Sequence, residues 1–232
     1  MQKILITCEH GGNQIPEEYR KYFRTHQDLL QTHRGWDPGA LELYKKFVAV
    51  GADASFFSET SRLLVELNRS RHHENLFSVA TKEIPAIEKN AILEWHYEPY
   101  RKKVEETITS FLAQNHSVLH ISVHSFTPEL NGEIRNADIG LLYDPQRQTE
   151  KEFCARWKTT LLQENPALKV RFNYPYRGTA DGFTTYLRKK FPDESYAGIE
   201  LEVNQKFPFG DSETWLKIQQ NIVQSFRAAV EH

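Results

Sequence analysis

An α/β fold with a mostly parallel central sheet flanked by helices is expected from this sequence on three observations. Short β-branched apolar runs alternate along the chain with longer segments of helical periodicity. The first of those runs ends in a polar, glycine-bearing loop, as a buried strand of a parallel sheet does. Composition is the third: 39% hydrophobic and 26% charged residues suit one compact domain over 1–232, and no repeat, low-complexity tract or linker divides it.

Taken in order, the first strand is expected over Lys3 to Cys8, stopping at Glu9-His10-Gly11-Gly12. The glycines there would let backbone approach a metal or substrate closely. A helix follows over Gly39 to Val50, where Ala40, Leu43, Tyr44, Phe47 and Val48 recur at helical spacing. Asp37-Pro38 supplies the carboxylate and proline expected at its start. Further strands are expected at Ala54 to Phe57, Leu63 to Leu67, Val118 to Val123, Ile139 to Tyr143, Lys169 to Phe172 and Gly198 to Val203. The remaining helices are Ile92 to Ala113, Thr149 to Gln163 and Ser212 to Val230, the last with Trp215, Ile218, Ile222, Phe226 and Val230 on one face. Ligands of such sheets gather where strands end in loops at the carboxyl edge. His10, His124 and Glu202 all fall at such expected ends.

Charge narrows the partners. With 29 Lys+Arg against 31 Asp+Glu the formal charge is −2, so no global field draws nucleic acid or an anionic membrane, and an anionic ligand must be held by local arginines. Apolar runs such as Phe47 to Val50 and Ile139 to Tyr143 are far shorter than the ~20 residues that span a bilayer. The opening Met1-Gln2-Lys3-Ile4 passes straight into a strand-like run, so no signal peptide is expected. Cys8 and Cys154 are too few to staple a domain of this size, and cytoplasmic residence is the expectation. Nothing in the pattern specifies an oligomeric state.

A hydrolytic zinc site needs three ligands drawn from His, Asp and Glu, an open position for water, and a carboxylate beside it to take the water's proton. His10 and His124 at strand ends and Asp37 at a helix start are candidates for the ligands. Each also has a plain structural reading: the histidines as hydrogen-bonding loop residues, Asp37 as a helix cap. Glu200 and Glu202 alternate with Ile199, Leu201 and Val203, so they are either the wet face of a half-exposed strand or an acidic pair at a buried edge. His33 is placed to orient Asp37 or touch substrate. His120, two steps behind His124 on the same strand face, reads as a core histidine, and His72-His73-Glu74 as a solvated loop.

At this point the residues resemble a known family. Thr7-Cys8-Glu9-His10-Gly11-Gly12-Asn13 with Ile15-Pro16, His33-Arg34-Gly35-Trp36-Asp37-Pro38-Gly39-Ala40, and Ser61-Arg62-Leu63 with Leu67-Asn68-Arg69 are similar to the N-formylglutamate amidohydrolases. His124-Ser125-Phe126-Thr127-Pro128, Arg135 with Asp138 to Tyr143, Asn173-Tyr174-Pro175-Tyr176 and Gly198-Ile199-Glu200-Leu201-Glu202 continue the resemblance in order, from about Leu5 to about Gln205. The chain departs from the family pattern at Val203-Asn204-Gln205-Lys206 and at Tyr97-Glu98-Pro99-Tyr100-Arg101, where Arg101 replaces a histidine.

The resemblance implies a fold like that of zinc carboxypeptidases and zinc-dependent cell-wall amidases, the phosphorylase/hydrolase-like class. It implies His10, Asp37 and His124 as metal ligands, zinc or another divalent ion as cofactor, and Glu202 as the catalytic carboxylate with Glu200 as the alternative. Arg69 and Arg135, then Arg62 and Arg177, lie in or beside matched blocks and become the implied contacts to a substrate carboxylate, with Asn173 and His33. The implied activity is hydrolysis of an N-acyl acidic amino acid, typified by N-formyl-L-glutamate. The same site on another small amide, such as a peptidoglycan fragment, and a non-catalytic carboxylate-binding protein are the alternatives.

Overall fold

The computed structural model describes residues 1–231. Its strands are β1 (Gln2–Cys8), β2 (Ala54–Phe57), β3 (Ser117–Phe126), β4 (Glu129–Leu130), β5 (Glu133–Ile134), β6 (Ile139–Leu142), β7 (Val170–Phe172) and β8 (Tyr196–Asn204). Its helices are α1 (Gln27–Leu30), α2 (Ala40–Ala49), α3 (Ala86–Ile92), α4 (Glu98–Ala113), α5 (Gln148–Glu164), α6 (Phe183–Lys190) and α7 (Ser212–Glu231). A 3₁₀ segment, Glu17–Phe23, precedes α1. Six strands form the main sheet in the order β2-β1-β3-β8-β6-β7. Four of its five pairings are parallel, and only β6 runs antiparallel to its neighbour β8.

Helices cover both faces of this sheet, which is why β8 is buried throughout and β3 from Val118 onward. Ile6 and Cys8, Leu119, Ile121 and Val123, and Ile199, Leu201 and Val203 pack with residues of α2, α5 and α7 in one core. The alternate positions face α4 and α6, where Leu5, Val118 and Tyr196 meet Val104, Ile108, Phe183 and Leu187. Side chains alternate across a strand, so this second face also carries Thr7, the series His120, Ser122, His124 and the pair Glu200, Glu202. Along that face, apolar residues at one end give way to polar ones at the carboxyl edge.

Two expectations are corrected. Leu63 to Leu67 is not a strand. Its apolar side chains enter a smaller core with Tyr19, Phe23, Ile92 and Tyr97, and its carbonyls are taken by side chains instead of a ladder. Ser78 Oγ donates to the Leu63 carbonyl, Thr81 Oγ1 to that of Leu64, and Arg101 Nη1 to that of Leu67. The expected helix Ile92 to Ala113 is interrupted by a π-helical turn over Leu93–Tyr97, between α3 and α4. Pro99, in the first turn of α4, offers no N–H to an α-helical partner and crowds the preceding turn, which accounts for the break. Gly11 and Gly12 are required by the packing of the backbone itself. A side chain at Gly12 would meet the Glu59 carbonyl at 2.6 Å, and one at Gly11 the Ser58 carbonyl at 3.0 Å, so these glycines let two backbone segments close on each other.

Candidate active site

The carboxyl ends of β1, β3 and β8 hold the site. Strand β3 runs past the end expected from sequence, so His124 lies within it, opposite Glu202 of β8 in register. Ser122 faces Glu200 one step deeper. His10 sits in the turn after β1, and the Asp37 amide donates to the His10 carbonyl at 2.9 Å, which ties the two segments together. On the other side of β8, Gly140 opposes Glu202. A Cβ there would meet the Tyr174 carbonyl at 2.0 Å, so only glycine admits the turn that closes this wall.

Asp37 is not a side-chain helix cap. Gly39, at φ 81°, is the cap residue of α2, and no side chain bonds that helix end. Asp37 Oδ2 instead faces His10 Nδ1 at 3.2 Å and His124 Nδ1 at 2.9 Å. The ligand atoms of His10, Asp37 and His124 lie within 4.8 Å of one another, and all three side chains are buried. Each imidazole is gripped from behind: His10 Nε2 by Glu66, and His124 Nε2 by Ser122 Oγ at 2.9 Å and Glu9 Oε2 at 3.2 Å. A proton on each Nε2 leaves the two Nδ1 lone pairs and one carboxylate oxygen pointing at a shared point. This donor set fits a divalent cation held by two nitrogens and an oxygen with room for a fourth ligand.

Arg62 ties this arrangement together, donating from Nη1 to Asp37 Oδ1 at 3.1 Å and from Nε to Glu66 Oε2 at 2.8 Å. Glu9 also accepts from Ser122 Oγ at 2.6 Å and from the Tyr100 hydroxyl at 3.0 Å. Burial works against ionisation of all three carboxylates, but their partners outweigh it. His10, His124 and Arg62 hold Asp37 well below its usual range, Arg62 and His10 do the same for Glu66, and His124 and Ser122 for Glu9.

Glu202 is the exception. Its Oε2 is buried with no hydrogen-bond partner, and burial, reinforced by the charges of Asp37 and Glu200, pushes its pKa up to about 8. Glu200 is differently placed, since its Oε1 accepts from Thr184 Oγ1 at 2.6 Å. A carboxyl beside a candidate cation site, poised near neutrality and free of partners, has the features of a general base.

His10, Asp37, His124 and Glu202 line one side of a cleft of about 140 Å³. Its other walls bring in Arg62, Arg69, Arg177, Glu200 and three residues the sequence reading did not single out, Asn68, Tyr176 and Asp181. Arg135 reaches the cleft indirectly, donating to the Tyr176 hydroxyl at 3.0 Å. Asn173 stands beneath it, with Oδ1 accepting from the amides of Tyr143 and Gly178 and so shaping the turn that carries Tyr176 and Arg177. His33 does not line the cleft, and the guanidinium of Arg62 is engaged by Asp37 and Glu66. Glu9, Glu66 and Ser122 were also missed. Glu9 extends the Leu5, Thr7 alternation onto the site face, a signal available in the sequence, whereas nothing local marks Glu66.

A sequence profile of the N-formylglutamate amidohydrolases matches residues 2–207. No curated relative matches significantly. Among solved structures, a gene product of Agrobacterium tumefaciens superposes with a TM-score of 0.83 at 24% identity, over 99% of this chain and 90% of that one. The N-formylglutamate amidohydrolase of Ralstonia eutropha JMP134 superposes with a TM-score of 0.69 at 15% identity, over 98% of this chain and 93% of the other. The profile covers most of the sequence, including every strand of the main sheet, and on that ground the chain belongs to the N-formylglutamate amidohydrolase family.

Proposed function

We propose that this amidohydrolase cleaves the amide of a small N-acyl acidic amino acid, with N-formyl-L-glutamate giving formate and L-glutamate as the type reaction. The observation that carries the reading is one small cleft in which His10, Asp37, His124 and Glu202 face Arg69 and Arg177. A volume of about 140 Å³ is well below the ~300 Å³ at which pockets for drug-sized ligands begin, so it favours one short acyl amino acid over a glycan-linked peptide. The guanidinium groups supply the planar donors that a carboxylate needs in a protein of near-zero net charge.

His10 Nδ1, Asp37 Oδ2 and His124 Nδ1 would hold zinc, or another divalent ion. When bound, the ion polarises the acyl oxygen and makes water acidic enough to attack at neutral pH. Glu202 takes the proton from that water and passes it to the amide nitrogen as the C–N bond breaks, so the acid and the amine leave together. Arg69 and Arg177 orient the substrate through its carboxylates, and Arg135 steadies Tyr176 at the wall.

Release of formate and glutamate is measured together on a panel of N-acyl amino acids and muropeptide amides, with zinc, cobalt and manganese. The expected outcome is metal-dependent turnover of N-formyl-L-glutamate above every muropeptide. Absence of turnover on all N-acyl glutamates and aspartates by metal-loaded protein overturns the substrate assignment. Protein purified without chelators and holding no divalent ion favours the carboxylate-binding alternative.

A further inference from the structure

Arg101 is a buried guanidinium that forms no ion pair among the described residues. Charges so placed are costly and are retained where their hydrogen bonds hold something in place. Its Nη1 donates to the Leu67 carbonyl at 2.8 Å and to the Arg69 carbonyl at 3.4 Å. Its plane is caged by aromatic rings, with Phe183, Tyr186 and Tyr97 centroids at 4.2, 4.6 and 5.0 Å. Tyr97 hydroxyl donates to the same Arg69 carbonyl at 2.8 Å.

The segment so gripped borders two spaces. Asn68 and Arg69 line the 140 Å³ cleft, whereas Ser70 and Arg71 line a second hollow of about 620 Å³ that has Arg101 and Tyr97 in its wall. Open space on that side leaves the loop little packing of its own, so its conformation depends on directed bonds. Three more converge there: Asn68 N–H to Glu66 Oε1 at 3.0 Å, Phe183 N–H to Asn68 Oδ1 at 2.7 Å, and Ser70 N–H to Asp181 Oδ2 at 2.9 Å. Arg69 itself donates to the Asp181 carbonyl. The π-helical turn ends at Tyr97, directly before the helix that delivers Arg101 to this place.

We propose that Arg101 is a positioning residue for substrate capture: it fixes the backbone of Leu67 and Arg69 so that Asn68 and the Arg69 guanidinium face the cleft. The proposal rests on the function assigned above, in which Arg69 receives a substrate carboxylate. Arg101 touches no substrate and acts through Arg69.

In the metal-loaded protein, Arg101→Gln is expected to raise KM for N-formyl-L-glutamate by ~10-fold or more, with kcat and metal content little changed. In an Arg69→Ala background the same substitution should add nothing further, because its effect travels through Arg69. Amide hydrogen exchange reads the loop without turnover: the Asn68 and Ser70 amides should exchange ~10-fold faster in Arg101→Gln while β3 stays protected. Tyr97→Phe removes the other bond to the Arg69 carbonyl and should shift the same amides in the same direction, which keeps the test available where Arg101→Gln does not fold. Unchanged exchange at those amides, or a KM effect that persists without Arg69, overturns the proposal. Wild-type protein inactive on every N-acyl acidic amino acid overturns the proposed function instead, and exchange alone then decides whether Arg101 holds the loop.

Discussion

His120 and His124 occupy the same face of β3 and are both buried, yet their rings meet opposite surroundings. His120 lies between two neutral hydroxyls, Thr7 Oγ1 at 2.7 Å and Tyr196 OH at 2.8 Å, and burial lowers its pKa to about 4. Burial also disfavours a charged ring at His124, but Asp37 and Glu9 outweigh it and hold that pKa well above the ordinary value. Depth therefore does not decide what a polar group on this face does. The carboxylates gathered at the sheet's edge do, and they stop short of the interior, where hydroxyls satisfy hydrogen bonds without adding charge.

The comparison can be broken at its charged end first. His124→Ala carries the largest expected effect, with bound metal and turnover falling to background together when metal content and formate release are measured side by side. Glu202→Gln separates base from ligand. Metal should stay bound while turnover drops ~10²- to 10⁴-fold, and Glu200→Gln, whose parent carboxylate is engaged by Thr184, should cost much less. The reverse pattern would put the base at Glu200.

Glu9→Gln and Glu66→Gln leave the proposed ligands in place and weaken the grip on their outer nitrogens. Competition with a chromogenic chelator should show metal affinity reduced by ~10- to 10²-fold in each. The smallest effect belongs to the interior histidine. The unfolded chain takes up a proton on His120 near pH 6.5 that the native state refuses until about pH 4, so stability present above pH 6.5 is lost as pH falls through that window. Denaturant unfolding should show wild-type losing up to ~3 kcal/mol more than His120→Gln between those limits, and parallel curves would show that His120 is not the group responsible.

How legible the molecule was follows from how local each signal is. Strand β1, helix α2 and the long β3 and β8 announce themselves by period, and a histidine at the end of an apolar strand carries its position with it. Asp37 could be found but not understood, since its role depends on two histidines that only the fold brings to it. Glu66 was hidden inside a run that looks like a strand and is not one, because the satellite core that buries Leu63 to Leu67 is assembled from distant segments. Helix α6 was missed for a related reason: Phe183 and Leu187 make only one apolar repeat, and the two threonines between them weaken the helical signal.

The π-helical turn at Leu93–Tyr97 bears on how this chain can change in length. On its near side Ile84 and Ile92 are seated in the satellite core, and beyond it Val104 and Ile108 are seated under the sheet. Each residue added to or removed from a helix rotates everything beyond it by ~100°. Loss of one residue here would straighten the helix and force one of those two seatings to turn away, whereas the neighbouring turns 70–83 have no such phase to keep. Insertions and deletions across this half of the molecule should therefore be absorbed by those turns, while the length between Ile92 and Arg101 stays constant.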